Sequence, residues 1–339
     1  MALNRRDILG AMAVGLVQQA TPQRVDAQST PDWVRIIVEA KKEATLVFMS
    51  SLQSRVLGTV QQAFEAKYGI SVKTLSGRPA EVRERVRAAQ VAGKQQVDVV
   101  FGSEALTTIR YNEDKTVLDV PPVLDAAKEH TLFKTAAPIV PVMTITYGFL
   151  VNTNLVKPED EPRGWYDLLD PKWKGKLLLD DPRTNGAGHI FFVGTFGPDY
   201  HQGLAQQNPT LTRETQESYR RVARGEYPVF VPFTLPDITT LVGLPVRAVV
   251  PKEGSPYVLY GTSLVRNSPH PNAAVLFASY NSSDEALLAY SKAGFGVGVA
   301  DVIARMPADI RPIAEAKLLG TTDPRGQDAA FSLAREIYK

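Results

Sequence analysis

The sequence predicts an α/β fold of two lobes, each a mixed, mainly parallel sheet flanked by helices, with two crossing strands joining the lobes. Three observations carry this. Between Thr45 and Phe101, short apolar runs alternate with helix-period stretches as β-α-β-α-β, and the connection rules turn such a succession into a parallel sheet. Two further apolar segments, Val140 to Val151 and Pro256 to Val265, are placed to carry the chain out of the first lobe and back again. The chain has 339 residues, 44% hydrophobic and 22% charged, which suffices for two globular domains.

A first helix is read over Pro31 to Lys42. Thr45 to Met49 is a short strand ending in Ser50-Ser51-Leu52-Gln53. The next helix puts Val56, Val60 and Phe64 on one face and stops at Gly69, a residue suited to the position after a helix end. Ile70 to Leu75 alternates as a strand, and Ser76-Gly77-Arg78-Pro79 forms the loop after it. Val82, Val86 and Ala89 mark another helix, with Glu81 and Arg85 spaced for an i,i+4 pair. Val97 to Phe101 is a third strand leading into Gly102-Ser103-Glu104. In open α/β sheets ligands sit beyond the carboxyl ends of the strands, so Ser50, Ser51, Ser76, Arg78, Ser103 and Glu104 are gathered at one edge. For any one of these serines a helix N-cap is the more ordinary role. The lobes are expected at 28–143 with 256–300 and at 144–255 with 301–339.

Composition excludes several function classes. A net charge of +2 gives no electrostatic footprint for nucleic acid. With no cysteine, there is no disulfide, iron–sulfur cluster, thiolate zinc site or cysteine nucleophile. The four histidines are scattered at 130, 189, 201 and 270, and G-x-S-x-G, G-x-x-x-x-G-K-[ST] and H-E-x-x-H are all absent. No catalytic residues, metal ligands or cofactor are expected. At the N-terminus, Arg5-Arg6 followed by the apolar Ile8 to Val17 reads as a signal peptide of twin-arginine type, with 1–27 removed after Val25-Asp26-Ala27. A soluble, monomeric periplasmic protein follows.

The stretch Asp167 to Phe192 organises the second lobe. Pro171 and Gly175 punctuate a turn, Lys176 to Leu179 is an apolar run, and Asp180 to Asn185 makes a polar loop before a helix opens at Gly186. Gly186, Ala187 and Gly188 leave first-turn N–H groups uncovered, where the helix dipole favours negative charge. Arg183 and Thr184 stand just before them. A guanidinium beside a helix start suits a carboxylate or phosphate. An ordinary turn capped by Asn185, with Arg78 and Arg183 as surface ion-pair partners, accounts for the same residues.

The run "DLLDPKWKGK", followed by a strand and a Gly-Ala pair, and "HPNAA" at His270 to Ala274 resemble the extracellular solute-binding proteins of ABC importers. The group in question contains the ferric-iron, thiamine, phosphonate and sugar-phosphate binders. The resemblance runs from about Leu46 to about Tyr290. It implies the two-lobed type II periplasmic binding fold, hinge closure on a small solute, and delivery to an inner-membrane ABC permease. Ferric binders of this group hold iron with adjacent tyrosines, a histidine after the first strand and an acidic residue after the third. Here Phe233-Thr234-Leu235-Pro236 stands where the tyrosines belong, Leu52 replaces the histidine, and Glu104 remains. Such a set is poor for a hard cation that wants anionic oxygen donors. The iron binders also hold an anion on Ser-Gly-Ala at a helix start, which Asn185-Gly186-Ala187 matches. Thr234 and Tyr260, the latter on the returning strand, complete the expected site. The solute is accordingly expected to be a carboxylate, phosphorylated compound or phosphonate. The alternatives are a metal receptor and an enzyme on the same two-lobed fold.

Overall fold

The computed structural model describes residues 31–52 and 55–339. The segment 1–27, expected from sequence to be a signal peptide, lies outside the described residues. The described strands are β1 Thr45–Ser50, β2 Ser71–Ser76, β3 Val99–Ser103, β4 Val140–Asn152, β5 Leu177–Asp180, β6 Thr210–Thr212, β7 Val229–Thr234, β8 Val246–Val249 and β9 Tyr257–Leu264. They follow one another through the molecule as β2-β1-β3-β9-β4-β7-β5-β6, with β8 also on β4. Pairs β1–β2, β1–β3, β5–β6 and β5–β7 are parallel, whereas every pairing of β4 and β9 is antiparallel. This is a mixed α/β, type II architecture. The two long strands cross between its halves.

Burial follows the sequence pattern. All residues of β4 are buried, as its unbroken apolar run requires for a strand covered on both faces. In the first half, Phe48, Phe64, Phe101, Phe277 and Tyr280 pack into one core. Burying each contributes roughly 1.5–3 kcal/mol. In the second half the period-2 rule divides neighbours: Leu177 and Leu179 face one cluster with Phe149, Trp165 and Phe191, while Leu178 faces another with Tyr219, Phe230 and Phe233. Trp165 donates its indole N–H to the Gly254 carbonyl at 2.8 Å and stacks on Phe191, tying the Asp167 region to the chain entering β9. The last residues return to this half: Met306, Ile310 and Ile313 join the Tyr219 cluster, and Ala334 and Tyr338 the Trp165 cluster.

One local expectation is corrected. Glu81 does not reach forward to Arg85. Its carboxylate instead accepts the Arg78 backbone N–H at 3.0 Å, because that donor, just before the helix Pro79–Val91, has no intrahelical partner. The "HPNAA" segment does open a helix, Pro271–Asn281, and long-range contacts fix where it begins. Glu43 accepts the Ala273 N–H at 2.7 Å, and His270 Nδ1 lies 2.9 Å from the buried Asp98.

Candidate functional site

The strand ends of the first half present a partly used set of groups. Ser50 Oγ accepts the Leu52 N–H at 3.0 Å, which fixes the turn after β1. The Ser51 hydroxyl is buried and makes no hydrogen bond of ordinary length among the described residues. Burial raises the Tyr260 pKa, with Ser51 and Arg110 opposing it. Ser103 has the N-cap role, accepting the Leu106 N–H at 3.4 Å. Glu104 accepts a hydrogen bond from the Thr135 hydroxyl. Ser76 is exposed, and the Arg78 side chain, 87% exposed, reaches Glu81 only at 4.0 Å.

The helix start in the second half is built differently from the sequence expectation. Asp180, the last residue of β5, accepts the Gly188 N–H on Oδ1 at 2.8 Å and the Thr215 hydroxyl on Oδ2 at 3.3 Å. The protein's own carboxylate therefore already uses part of the N-terminus of the helix Ala187–Gly194. Burial pushes the Asp180 pKa up, and the bonds from Gly188 and Thr215 offset this only in part. The N–H groups of Gly186 and Ala187 keep no partner among the described residues. Ala187 and Ile190 pack against the core of the first half, so this helix start lies where the two halves meet.

Arg183 is committed elsewhere. Its Nε donates to Asp181 Oδ1 at 2.8 Å, Nη2 to Oδ2 at 3.1 Å, and Nη1 to the Tyr338 carbonyl at 3.0 Å. Of the two roles the sequence leaves open, this is the ion-pair arrangement: a guanidinium held at all three nitrogens braces the loop against the C-terminal segment. Burial raises the Asp181 pKa, but bonds from Arg183 and Arg213 outweigh it and hold the carboxyl below its ordinary value. The stability from this pairing is thus present above the ordinary carboxylate pKa and is lost as pH falls through the depressed one. Charge-assisted hydrogen bonds contribute roughly 1.5–3 kcal/mol. Arg183→Ala is expected to lower stability by about that much, with Arg213 retaining Asp181 at 3.0 Å, and to shrink the acid-side loss. Urea melts at neutral and acid pH check this. An unchanged midpoint would return Arg183 to the ligand.

The remaining groups have internal partners or are buried. Thr184 Oγ1 lies 3.4 Å from the Asp181 carbonyl, and Asn185 Oδ1 accepts from Gln327. Thr234 stands beside Tyr219, whose hydroxyl donates to Asp237 Oδ2 at 2.8 Å. Tyr147, on β4, is buried. Its pKa is raised by burial first, then by the charges of Tyr260, Asp180 and Asp237. His189 is buried with its ring 4.2 Å from that of Phe331, and burial lowers its pKa.

A cavity of about 660 Å³ opens beside Glu104, bounded by the helix Glu104–Asn112, by Val258 and Leu259 of β9, and by the segment 321–327. Of the residues expected from sequence, only Glu104 lines it. Arg83, Thr108, Arg325 and Gln327 are additions that sequence reasoning missed. Arg83 had a signal, lying one turn from the Arg78 loop. The 321–327 wall had none, since only the fold brings it there. Among the described residues no three His, Asp or Glu side chains gather to hold a metal, and Leu235, at the tyrosine counterpart, is buried in the core.

Residues 45–296 match the family model described as bacterial extracellular solute-binding protein. The chain belongs to this family. Its members are the solute-capturing components of ABC importers. An uncharacterized protein of Haemophilus influenzae is 31% identical over 150 residues, which are 41% of this chain and 43% of that protein, so the match spans under half of its relative. Among solved structures, iron-bound HitA from Pseudomonas aeruginosa superposes with a TM-score of 0.67 at 19% identity, covering 87% of this chain and 99% of its own. The periplasmic binding protein AfuA from Actinobacillus pleuropneumoniae, with exogenous fructose-6-phosphate bound, gives 0.61 at 22% identity, covering 87% and 96%. At these identities the two structures speak for the fold.

Proposed function

We propose that this solute-binding protein works in the periplasm, captures a small anionic solute (a carboxylate, phosphorylated compound or phosphonate) between its lobes, and passes it to an inner-membrane ABC permease. The lobes are taken as 28–143 with 256–300 and 144–255 with 301–339. The observation that carries the ligand class is the pair of unpartnered N–H groups at Gly186 and Ala187, held at a helix start that lies where the two halves meet. Such donors cost no reorganisation when an anion arrives. The fructose-6-phosphate bound to AfuA is a precedent of this chemistry on the same fold.

A cationic solute is the second reading, favoured by one observation. Asp180, Asp237 and Glu104 accept hydrogen bonds only from neutral groups among the described residues. Iron is disfavoured by Leu235 and Pro236. The test is mass spectrometry of small molecules released on denaturing the purified protein, followed by titration calorimetry with the compound found. An organic acid or phosphate ester at one per chain is expected, with Gly186→Val weakening it about tenfold or more, the loss of roughly one charge-assisted hydrogen bond. Release of an amine, or a coloured complex at one ferric ion per chain, would overturn the anionic reading.

A further inference from the structure

Arg110 lies on the helix Glu104–Asn112 with none of its surface exposed, and Nε, Nη1 and Nη2 all lack a partner among the described residues. One turn earlier on the same helix, Thr107 is equally buried and its hydroxyl is also unpartnered. Arg110 and Thr107 are spaced i,i+3 and so share one face of the helix, on which long side chains lean toward the N-terminus. Room exists because Gly102 has no side chain: a Cβ there would stand 3.2 Å from Arg110 Nη1. Gly102 pairs in the ladder with Gly261 of β9.

The nearby carboxylate does not discharge the site. Asp114 acts on Arg110 electrostatically, but its oxygens are taken by Arg83, at 2.7 Å through Nε and 2.8 Å through Nη2. Burial lowers the Arg110 pKa to about 10, so the group is charged at neutral pH. A buried charge without a partner is among the most expensive features a fold can carry, and buried polar groups in natural proteins are almost always satisfied. Water would satisfy the N–H groups and leave the charge. An anion does both, and the tight enclosure limits it to a small one.

We propose that Arg110 and Thr107 bind a small monovalent anion of the halide class inside the first lobe. Neither Arg110 nor Thr107 lines the cavity beside Glu104, although Arg110 acts electrostatically on Tyr260 of the expected solute site, and the proposal does not rest on the reading given for the solute. It lies beneath the Gly102–Gly261 pair, where β9 enters this half of the molecule from the crossing. Occupancy therefore firms the root of the crossing.

Bromide soaked into crystals of the protein is expected to give an anomalous peak within hydrogen-bonding reach of Arg110. The melting midpoint is expected to rise with chloride relative to sulfate at equal ionic strength, as ligand linkage requires. Thr107→Val is expected to raise the chloride concentration for half the effect about fivefold to tenfold, a lost hydrogen bond, and Arg110→Met to abolish the response. Should Arg110→Met not fold, the bromide map and Thr107→Val decide alone. Water density at Arg110 without an anomalous peak, or a chloride response unchanged in Thr107→Val, overturns the proposal.

Discussion

Gly188→Ala is expected to destabilise the protein by about 1–3 kcal/mol or more and to weaken solute binding at least tenfold. The reason is a close approach of backbone to backbone. A Cβ at position 188 would lie 2.2 Å from the Asp180 carbonyl oxygen and 2.9 Å from the Asp181 carbonyl carbon. Neither neighbour is the end of a flexible side chain, so the helix Ala187–Gly194 has to move away from β5, which is the overpacking that sets the cost. The displacement also breaks the 2.8 Å bond from Gly188 N–H to Asp180. Gly186 and Ala187, whose donors the proposed site uses, travel with the helix. Urea denaturation gives the stability and titration calorimetry the affinity. Wild-type values in both would mean that β5 and the helix start are free to separate, and the geometry assigned to the site would fall. Gly186→Ala is the internal comparison, since its Cβ meets only Asp180 Oδ1, at 3.3 Å, with a backbone φ of +154° as the added strain.

The framework was legible because burial and periodicity agree over the long segments. Val140 to Val151 reads as a buried strand and becomes β4 with one residue added, and Pro256 to Val265 becomes β9. β7 was not legible: Pro232 lies inside Val229–Thr234, and proline argues against a central strand. The ladder tolerates it where the register between β4 and β7 shifts, between Gly148 and Leu150. The helix start at Gly186 was visible from its glycines, whereas its wiring was not. The partner of Arg183 across the fold is the Tyr338 carbonyl, 155 positions away, and no local pattern announces such a contact. Arg110 shows the same limit from the other side. In sequence it is an ordinary basic residue in the last turn of a helix, and only packing reveals that it is buried without a partner among the described residues.

Asp180→Asn is expected to reveal the sign of the solute's charge. The substitution preserves shape: an amide oxygen can keep the Gly188 N–H, and the amide nitrogen can donate to Thr215 where the carboxylate accepted. Because burial raises the Asp180 pKa, removing its charge costs the fold little. What changes is the field at the helix start, where the carboxylate competes with any anion for the same dipole. Two unit charges 4 Å apart interact by about 1 kcal/mol in water and about 4 kcal/mol at the effective dielectric typical of protein surfaces. Loss of the repulsion should therefore tighten an anionic solute by roughly tenfold or more, and loosen a cationic one by a similar factor, since about 1.4 kcal/mol is tenfold. A pH series gives an independent reading. In the wild type, protonation of Asp180 removes the same repulsion, so anion affinity rises as pH falls through its elevated pKa, provided the solute keeps its charge. The asparagine variant should lose that dependence. Tighter binding and a flattened profile together support the anionic solute, weaker binding transfers the site to the cationic reading, and no change in either places the solute away from this helix start.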